Sequence, residues 1–266
     1  MVSPQKIGPV LTSFEGPVTT ITLNRPDQLN AINAETDEAM QAAFEAAYAA
    51  PQCQVIVLTG AGRGFCSGAQ RSPGTNGAQS VRWAQRPDTL DRFRFNYLLD
   101  SPKPVIAALN GPAIGVGLVI ACYCDIRLAV DDAKLSFPYS RLGLVAEYGI
   151  AKILPTLIGA SRAYELLLSG RQFDAKQGQA MGLISQTASR EDFSNMVQRY
   201  VKMLAQECSP VALRAIKRQL RSACRQELLE AIQQAGEELS EVRQSHDYAE
   251  AIEARRERRA PIFTGR

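Results

Sequence analysis

The chain has 266 residues, 45% of them hydrophobic and 21% charged, with a net charge of +3. That length can bury a large core within one main domain, and the composition excludes disordered and fibrous classes. The charge is too small to argue for a nucleic-acid partner, although it is compatible with a polyanionic small ligand.

In chain order, VTTITLNRP alternates apolar and small polar residues, which predicts a strand ending at Arg25 before a proline. An acidic, alanine-rich stretch with helical spacing then predicts a helix over Ala34 to Ala49. VIVLTGAGRGFCSGA reads as an apolar strand entering a glycine-rich turn. RSPGTNGAQS has no periodicity and is expected to be a long loop. A helix is expected from about Thr89 to Leu99, and VIAALNGPAIGVGLVIAC repeats the plan of strand, glycine turn and small-residue helix. From Ala163 onward, amphipathic helical patterns take over: AYELLLSG, DFSNMVQRYVKMLAQE and ELLEAIQQAGEELSEVRQS, followed by the charged run EARRERR and the tail APIFTGR. The coarse picture is an α/β body with a helical tail.

No apolar run reaches the roughly 18 residues of a membrane span. MVSPQKIGPV lacks the plan of a signal peptide, so a cytoplasmic protein is expected. Six scattered cysteines with no CxxC pair do not make a disulfide framework. With His246 as the single histidine, no metal site is expected.

Four readings of the glycine-rich turns compete. GAGRGF and GVGLVI both miss the third glycine of a dinucleotide fingerprint, at Phe65 and Ile120, and GxxxxGK[ST] is absent. GFCSG imitates a nucleophile elbow with His246 late in the chain, but RSPGTNG is a poor helix and no oxyanion glycine run accompanies it. The fourth reading uses backbone N–H groups: two such turns converging on one oxygen form an oxyanion hole. Small neighbours are then required, as at Cys66, Ser67, Gly68 and Ala69 in one turn and Gly115, Val116 and Gly117 in the other. Two tight turns that merely pack helices on a sheet would account for the same residues.

TITLNRPDQLNAI, VIVLTGAGRGFCSGA, KPVIAALNGPAIGVGL, CDIRLAVDDAKLSFPYSRLGL, LLLSGRQFDAKQGQAMGLI and FTGR, in this order, resemble the crotonase or enoyl-CoA hydratase/isomerase superfamily. The resemblance covers nearly the whole chain. It implies an α/β spiral of strand-strand-helix repeats over residues 1–200, binding an acyl-CoA thioester. It also implies a C-terminal helical region over residues 201–266 that makes trimer contacts, commonly in trimers or dimers of trimers. Coenzyme A enters as part of the substrate, with no further cofactor.

Carried over by position, the oxyanion donors resemble the amides of Ala69 and Val116. Ser67, Gly68, Gln70, Arg71 and Gly115 would line the substrate path, with Arg71 as a phosphate contact. Gln70 stands where the family usually has Asp, and Val116 where it usually has Gly; the donor is an N–H, so Val can serve while its side chain can narrow the pocket.

The two glutamates of a hydratase fall at Val119 and Tyr139, neither of which moves a proton usefully at neutral pH. Glu147 falls instead where the family's enoyl-CoA isomerases, ring-epoxide isomerase and aryl-CoA dehalogenase keep their acting carboxylate. It precedes YGIAKILPTL, a predicted helix whose dipole favours the anion, while Leu144 and Val145 are expected to desolvate it. The resemblance thus points to an enoyl-CoA isomerase that moves a double bond from C3 to C2 through Glu147. The alternatives are a hydratase-type lyase of fatty-acid or aromatic-acid degradation and a protein that binds acyl-CoA without turnover. Tyr139 and Tyr148 are placed as packing residues that could also orient the acyl chain or hydrogen-bond Glu147.

Overall fold

The computed structural model describes residues 5–70, 94–223 and 241–266. The expected loop RSPGTNGAQS, Arg71, residues 89–93 of the helix expected from Thr89 and most of ELLEAIQQAGEELSEVRQS lie outside these segments, and within 94–99 the helix covers Asn96–Leu99.

Among the described residues, a seven-stranded sheet has the order β1-β2-β3-β4-β5-β7-β10 and a smaller sheet the order β6-β8-β9. Its first strands, β1 (Gln5–Ile7), β2 (Val10–Glu15) and β3 (Val18–Leu23), pair antiparallel. The rest, β4 (Val55–Gly60), β5 (Val105–Leu109), β7 (Ile126–Val130) and β10 (Gln186–Ala188), continue from β3 in parallel. The small sheet holds β6 (Ala113–Ile114), β8 (Lys134–Ser136) and β9 (Gln172–Asp174). The chain therefore steps from the large sheet to the small one and back. β5 is followed by β6 and then α3 (Val116–Tyr123), and β7 is followed by β8 and then α4 (Ile150–Ile158) and α5 (Ala160–Ser169). This is the expected strand-strand-helix repeat.

Period-two alternation divides the apolar residues of β4 and β5 between two cores, as parallel strands buried on both faces require. Ile56, Leu58, Val105, Ala107 and Leu109 join the larger core with α1 (Ala34–Ala49), α3 and α4. Val55, Val57, Ile106 and Ala108 face Met196, Val201, Leu204 and Ala205 of α7 (Phe193–Glu207). In α1 the buried residues Thr36, Met40, Ala43, Phe44 and Ala47 recur at helical spacing, and the Asn33 side chain caps the helix by accepting from the Thr36 amide at 2.8 Å. The helix keeps the limits expected from sequence. The β3 strand stops two residues before Arg25, because Asn24 turns its amide to the Pro9 carbonyl and Arg25 enters the turn closed by Asn30.

Residue 200 falls within α7, whose apolar face lies on the large sheet. Further on come α8 (Pro210–Ala223) and the helix His246–Glu257. The terminal FTGR is tied down by Asp247, which accepts from the amides of Thr264 (2.7 Å) and Gly265 and from Ser209 Oγ (2.9 Å). Among the described residues no helix is long and apolar enough to cross a membrane.

Candidate active site

Two asparagines, Asn30 buried and Asn110 half-buried, build the first glycine-rich turn. Asn30 Nδ2 donates to the carbonyls of Ala61 (2.9 Å) and Gly64 (2.8 Å), and Asn110 Nδ2 donates to those of Gly60 (2.8 Å) and Gly62 (3.0 Å). Carbonyls turned inward by a tight loop are costly unless paired, and these side-chain amides pair them. The loop then packs on the second turn: Cys66 and Phe65 donate to the Pro112 carbonyl, and Ile114 donates back to Cys66 at 3.0 Å. A Cβ on Gly117 would come within 2.4 Å of the Cys66 carbonyl oxygen and 2.7 Å of its Cβ, so only glycine lets α3 approach so closely.

Ala69 forms an isolated parallel bridge with Ile32, in which Ile32 donates to Gly68 and Gln70 donates to Ile32. A residue so flanked turns its own N–H the other way, and the Ala69 amide has no partner among the described residues. Val116 opens α3, where the first amides lack an acceptor one turn back, and its N–H is likewise unpaired among the described residues. Gly115 caps this helix at φ 54°, a left-handed position suited to glycine. The structure therefore leaves two free amides on adjoining turns. Ala69 is exposed, and the Val116 side chain is absorbed into the large core. Gln70 is held by Arg25, whose Nη2 donates to Oε1 at 2.7 Å, and Ser67 Oγ donates to the Gln28 carbonyl at 3.3 Å.

The two positions expected from the resemblance to match a hydratase's glutamates are apolar and phenolic. Val119 is fully buried in α3. Tyr139 is 4% exposed, and its hydroxyl has no hydrogen-bond partner among the described residues. Burial, with the Glu147 charge as the next cause, pushes the Tyr139 phenol well above its ordinary pKa.

Glu147 lies in the loop between the short helix Ser140–Leu142 and α4. Gly149 precedes α4, and the Glu147 side chain caps none of its amides. Leu144 and Val145, expected to desolvate the carboxylate, are themselves 49% and 77% exposed in the isolated chain. Desolvation nevertheless raises the Glu147 pKa above the usual carboxylate value, and the Arg94 guanidinium opposes the rise.

Arg94, Asp37 and Tyr123 were not identified from sequence. Arg94 Nε pairs with Asp37 Oδ2 of α1 at 2.8 Å, its Nη1 donates to the Tyr148 hydroxyl at 3.2 Å, and its guanidinium lies 5.5 Å from the Tyr148 ring centre. Tyr123 donates to the Tyr148 carbonyl at 2.6 Å. Nothing in the spacing marks these residues, because three separate segments supply them. Among the described residues, no group of three or more His, Cys, Asp or Glu is placed to hold a metal ion.

The family model described as enoyl-CoA hydratase/isomerase matches residues 13–266. The chain belongs to this family, the crotonases. The crotonase is 33% identical over 264 residues to the 1,2-epoxyphenylacetyl-CoA isomerase of Escherichia coli, covering 97% of this chain and 98% of that protein. It is 35% identical to a probable enoyl-CoA hydratase of Mycobacterium bovis, over 93% and 89% of the two chains. Among solved structures, the enoyl-CoA hydratase of Bacillus anthracis superposes with a TM-score of 0.90 at 28% identity, over 97% of this chain and all of that one. The enoyl-CoA hydratase subunit of Geobacillus kaustophilus gives 0.86 at 32% identity, over 98% and 100%. These confirm the crotonase fold and an enzyme of the hydratase/isomerase kind.

Proposed function

We propose that this crotonase is an enoyl-CoA isomerase in which Glu147 carries the proton. What supports the proposal is that Val119 and Tyr139, at the positions the resemblance matches to a hydratase's glutamates, carry no carboxylate and are buried, while the Glu147 charge acts on both Tyr139 and Tyr148. Ionised Glu147 removes a proton from C2 of a 3-enoyl thioester, and the electron pair moves into the thioester carbonyl. The amides of Ala69 and Val116 donate to the resulting dienolate oxygen, stabilising charge that exists only beyond the ground state. Protonated Glu147 then returns the proton at C4, giving the 2-enoyl thioester and the carboxylate again; no water is consumed. Its raised pKa suits both halves of this cycle, since a carboxyl nearer the working pH gives and takes a proton more evenly.

Gly68, Gly115, Ser67 and Gln70 are the proposed lining of the thioester path, with Arg71 as a phosphate contact outside the described residues. No cofactor beyond the coenzyme A of the substrate is required. We place the enzyme in the cytoplasm, as a trimer or dimer of trimers with contacts from residues 201–266. Leu144, Val145, Tyr164 and Leu168, all exposed apolar residues, support assembly.

Hydration is the second reading, favoured by the relatives named as probable enoyl-CoA hydratases. Incubation in deuterated water with 3-enoyl-CoA and with 2-enoyl-CoA, for wild type and Glu147→Gln, tests both. Isomerisation lost in the variant supports the proposal; 3-hydroxyacyl-CoA formed by wild type transfers it to hydration, and binding without turnover to a non-catalytic role.

A further inference from the structure

Arg94 is a cation that the proton shuttle does not use, yet it is held from several directions. Its side chain is 13% exposed and that of its partner Asp37 is 15% exposed. A largely buried guanidinium with the Asp37 carboxylate at 2.8 Å, an aromatic face at 4.9 Å (Phe95) and another at 5.5 Å (Tyr148) has little freedom to move. The residue it touches is the one next to Glu147. Tyr148 has φ 56°, an uncommon conformation for a residue with a side chain, so something must hold it there. Three contacts do so: the Tyr123 hydroxyl on its carbonyl (2.6 Å), the Phe95 ring against its own (5.4 Å between centres), and Arg94 on its hydroxyl (3.2 Å).

We propose that Arg94, anchored on α1 by Asp37, is a positioning residue for Glu147, fixing it through Tyr148 and presenting a positive charge to its carboxylate. The inference rests on Glu147 being the proton carrier. The groups that meet this network from the packed elements are Asp37 and Glu38 of α1, Tyr97 of α2 (Asn96–Leu99), Cys122 and Tyr123 of α3, and Tyr139. None of these is a cation; Arg94 supplies the positive charge that opposes the desolvation of Glu147. The Arg94 charge also slightly offsets the burial that raises the Cys66 thiol in the first glycine-rich turn.

The test measures kcat, KM and the pH–rate profile of isomerisation with 3-enoyl-CoA for wild type, Arg94→Gln, Arg94→Lys, Asp37→Asn, Tyr148→Phe and Glu147→Gln. Arg94→Gln should lower kcat about tenfold or more with KM little changed, since misplacing a reacting group by about 1 Å costs this much. Its acidic limb should move up by roughly half to one pH unit, because a partly solvated carboxylate loses an opposing cation. Arg94→Lys should keep the limb near wild type and recover part of kcat. Asp37→Asn should lower kcat without raising the limb, because the cation remains. Should Arg94→Gln not fold, Tyr148→Phe, which keeps the ring and loses the hydroxyl contact, should still lower kcat about threefold at unchanged KM. Wild-type kcat and limb in Arg94→Gln, or wild-type kcat in Tyr148→Phe where Arg94→Gln does not fold, with Glu147→Gln inactive, overturns this inference alone. Full activity in Glu147→Gln overturns the function reading and the inference together.

Discussion

The Tyr123 hydroxyl, on the last residue of α3, donates at 2.6 Å to the carbonyl of Tyr148, the residue that follows Glu147. The helix that begins with the free amide of Val116 thus ends by holding the loop of the candidate base. One rigid element sets the distance between an expected oxyanion donor and the carboxylate. Precision of this kind is easier on a helix than on a loop.

Tyr123→Phe removes that donor while keeping the ring. The Tyr148 carbonyl loses its partner in a left-handed residue, and the expected cost is about 1 kcal/mol of stability with a several-fold fall in kcat. Thermal melting and steady-state kinetics check it; unchanged kcat would show that α3 does not position Glu147.

The pKa of Glu147 is raised, so the carboxylate form that starts the reaction is lost as pH falls through a value above 4.5. Activity should therefore drop on the acidic side at a higher pH than an ordinary glutamate would give. The sign for stability follows: between the unfolded and folded values the folded state binds more protons, so this group makes stability fall as pH rises through that window. Glu147→Gln should consequently melt at the same or a higher temperature than wild type at neutral pH while losing isomerisation, a pattern expected of a functional carboxylate. A marked fall in its melting temperature would contradict this.

Gly117→Ala puts a methyl group 2.4 Å from the Cys66 carbonyl oxygen and 2.7 Å from the Cys66 Cβ. The first turn of α3 must move away, at a cost of about 1–3 kcal/mol, and the Val116 amide moves with it. Loss of turnover well beyond the loss of folded protein, measured by activity per folded molecule, is the expected outcome.

Just beyond the end of α3, Lys217 of α8 donates to Asp125 Oδ2 at 2.6 Å and to the Lys103 carbonyl at 2.7 Å. Desolvation lowers its pKa to about 8. From about 8 up to the unfolded value of 10.5 the unfolded chain binds more protons, so this lysine makes stability rise with pH there. Asp125→Asn leaves the ammonium without its counter-charge and should cost about 2 kcal/mol at neutral pH, discounted because Asp125 is partly solvated. Denaturant unfolding at pH 7 and pH 9.5 should show a smaller penalty at the higher pH.

Much of the architecture was legible because local patterns are strong. The spacing of Thr36, Met40, Ala43 and Ala47 already defines a helix face, and VIVLTG followed by glycines already defines a buried strand and tight turn. The strands β1, β2 and β6 to β10 were not anticipated, since two to six residues give little period to read, and their pairing comes from neighbours. The exposure of Leu144 and Val145 was also misjudged: apolar character does not reveal which side of a loop faces the protein.

By itself the sequence showed the two glycine-rich turns, and through its resemblance to the crotonases it implied the fold plan and the lack of a carboxylate at Val119 and Tyr139. These depend on residue identity and on spacings within one segment. Only the tertiary structure decided that the amides of Ala69 and Val116 have no partner among the described residues, and that Arg94, Asp37, Tyr123 and Tyr148 converge beside Glu147. The physical reason is that a free N–H is defined by what the surrounding backbone does not accept, and an ion pair 57 residues apart by how helices and strands pack. Neither leaves a mark in local sequence.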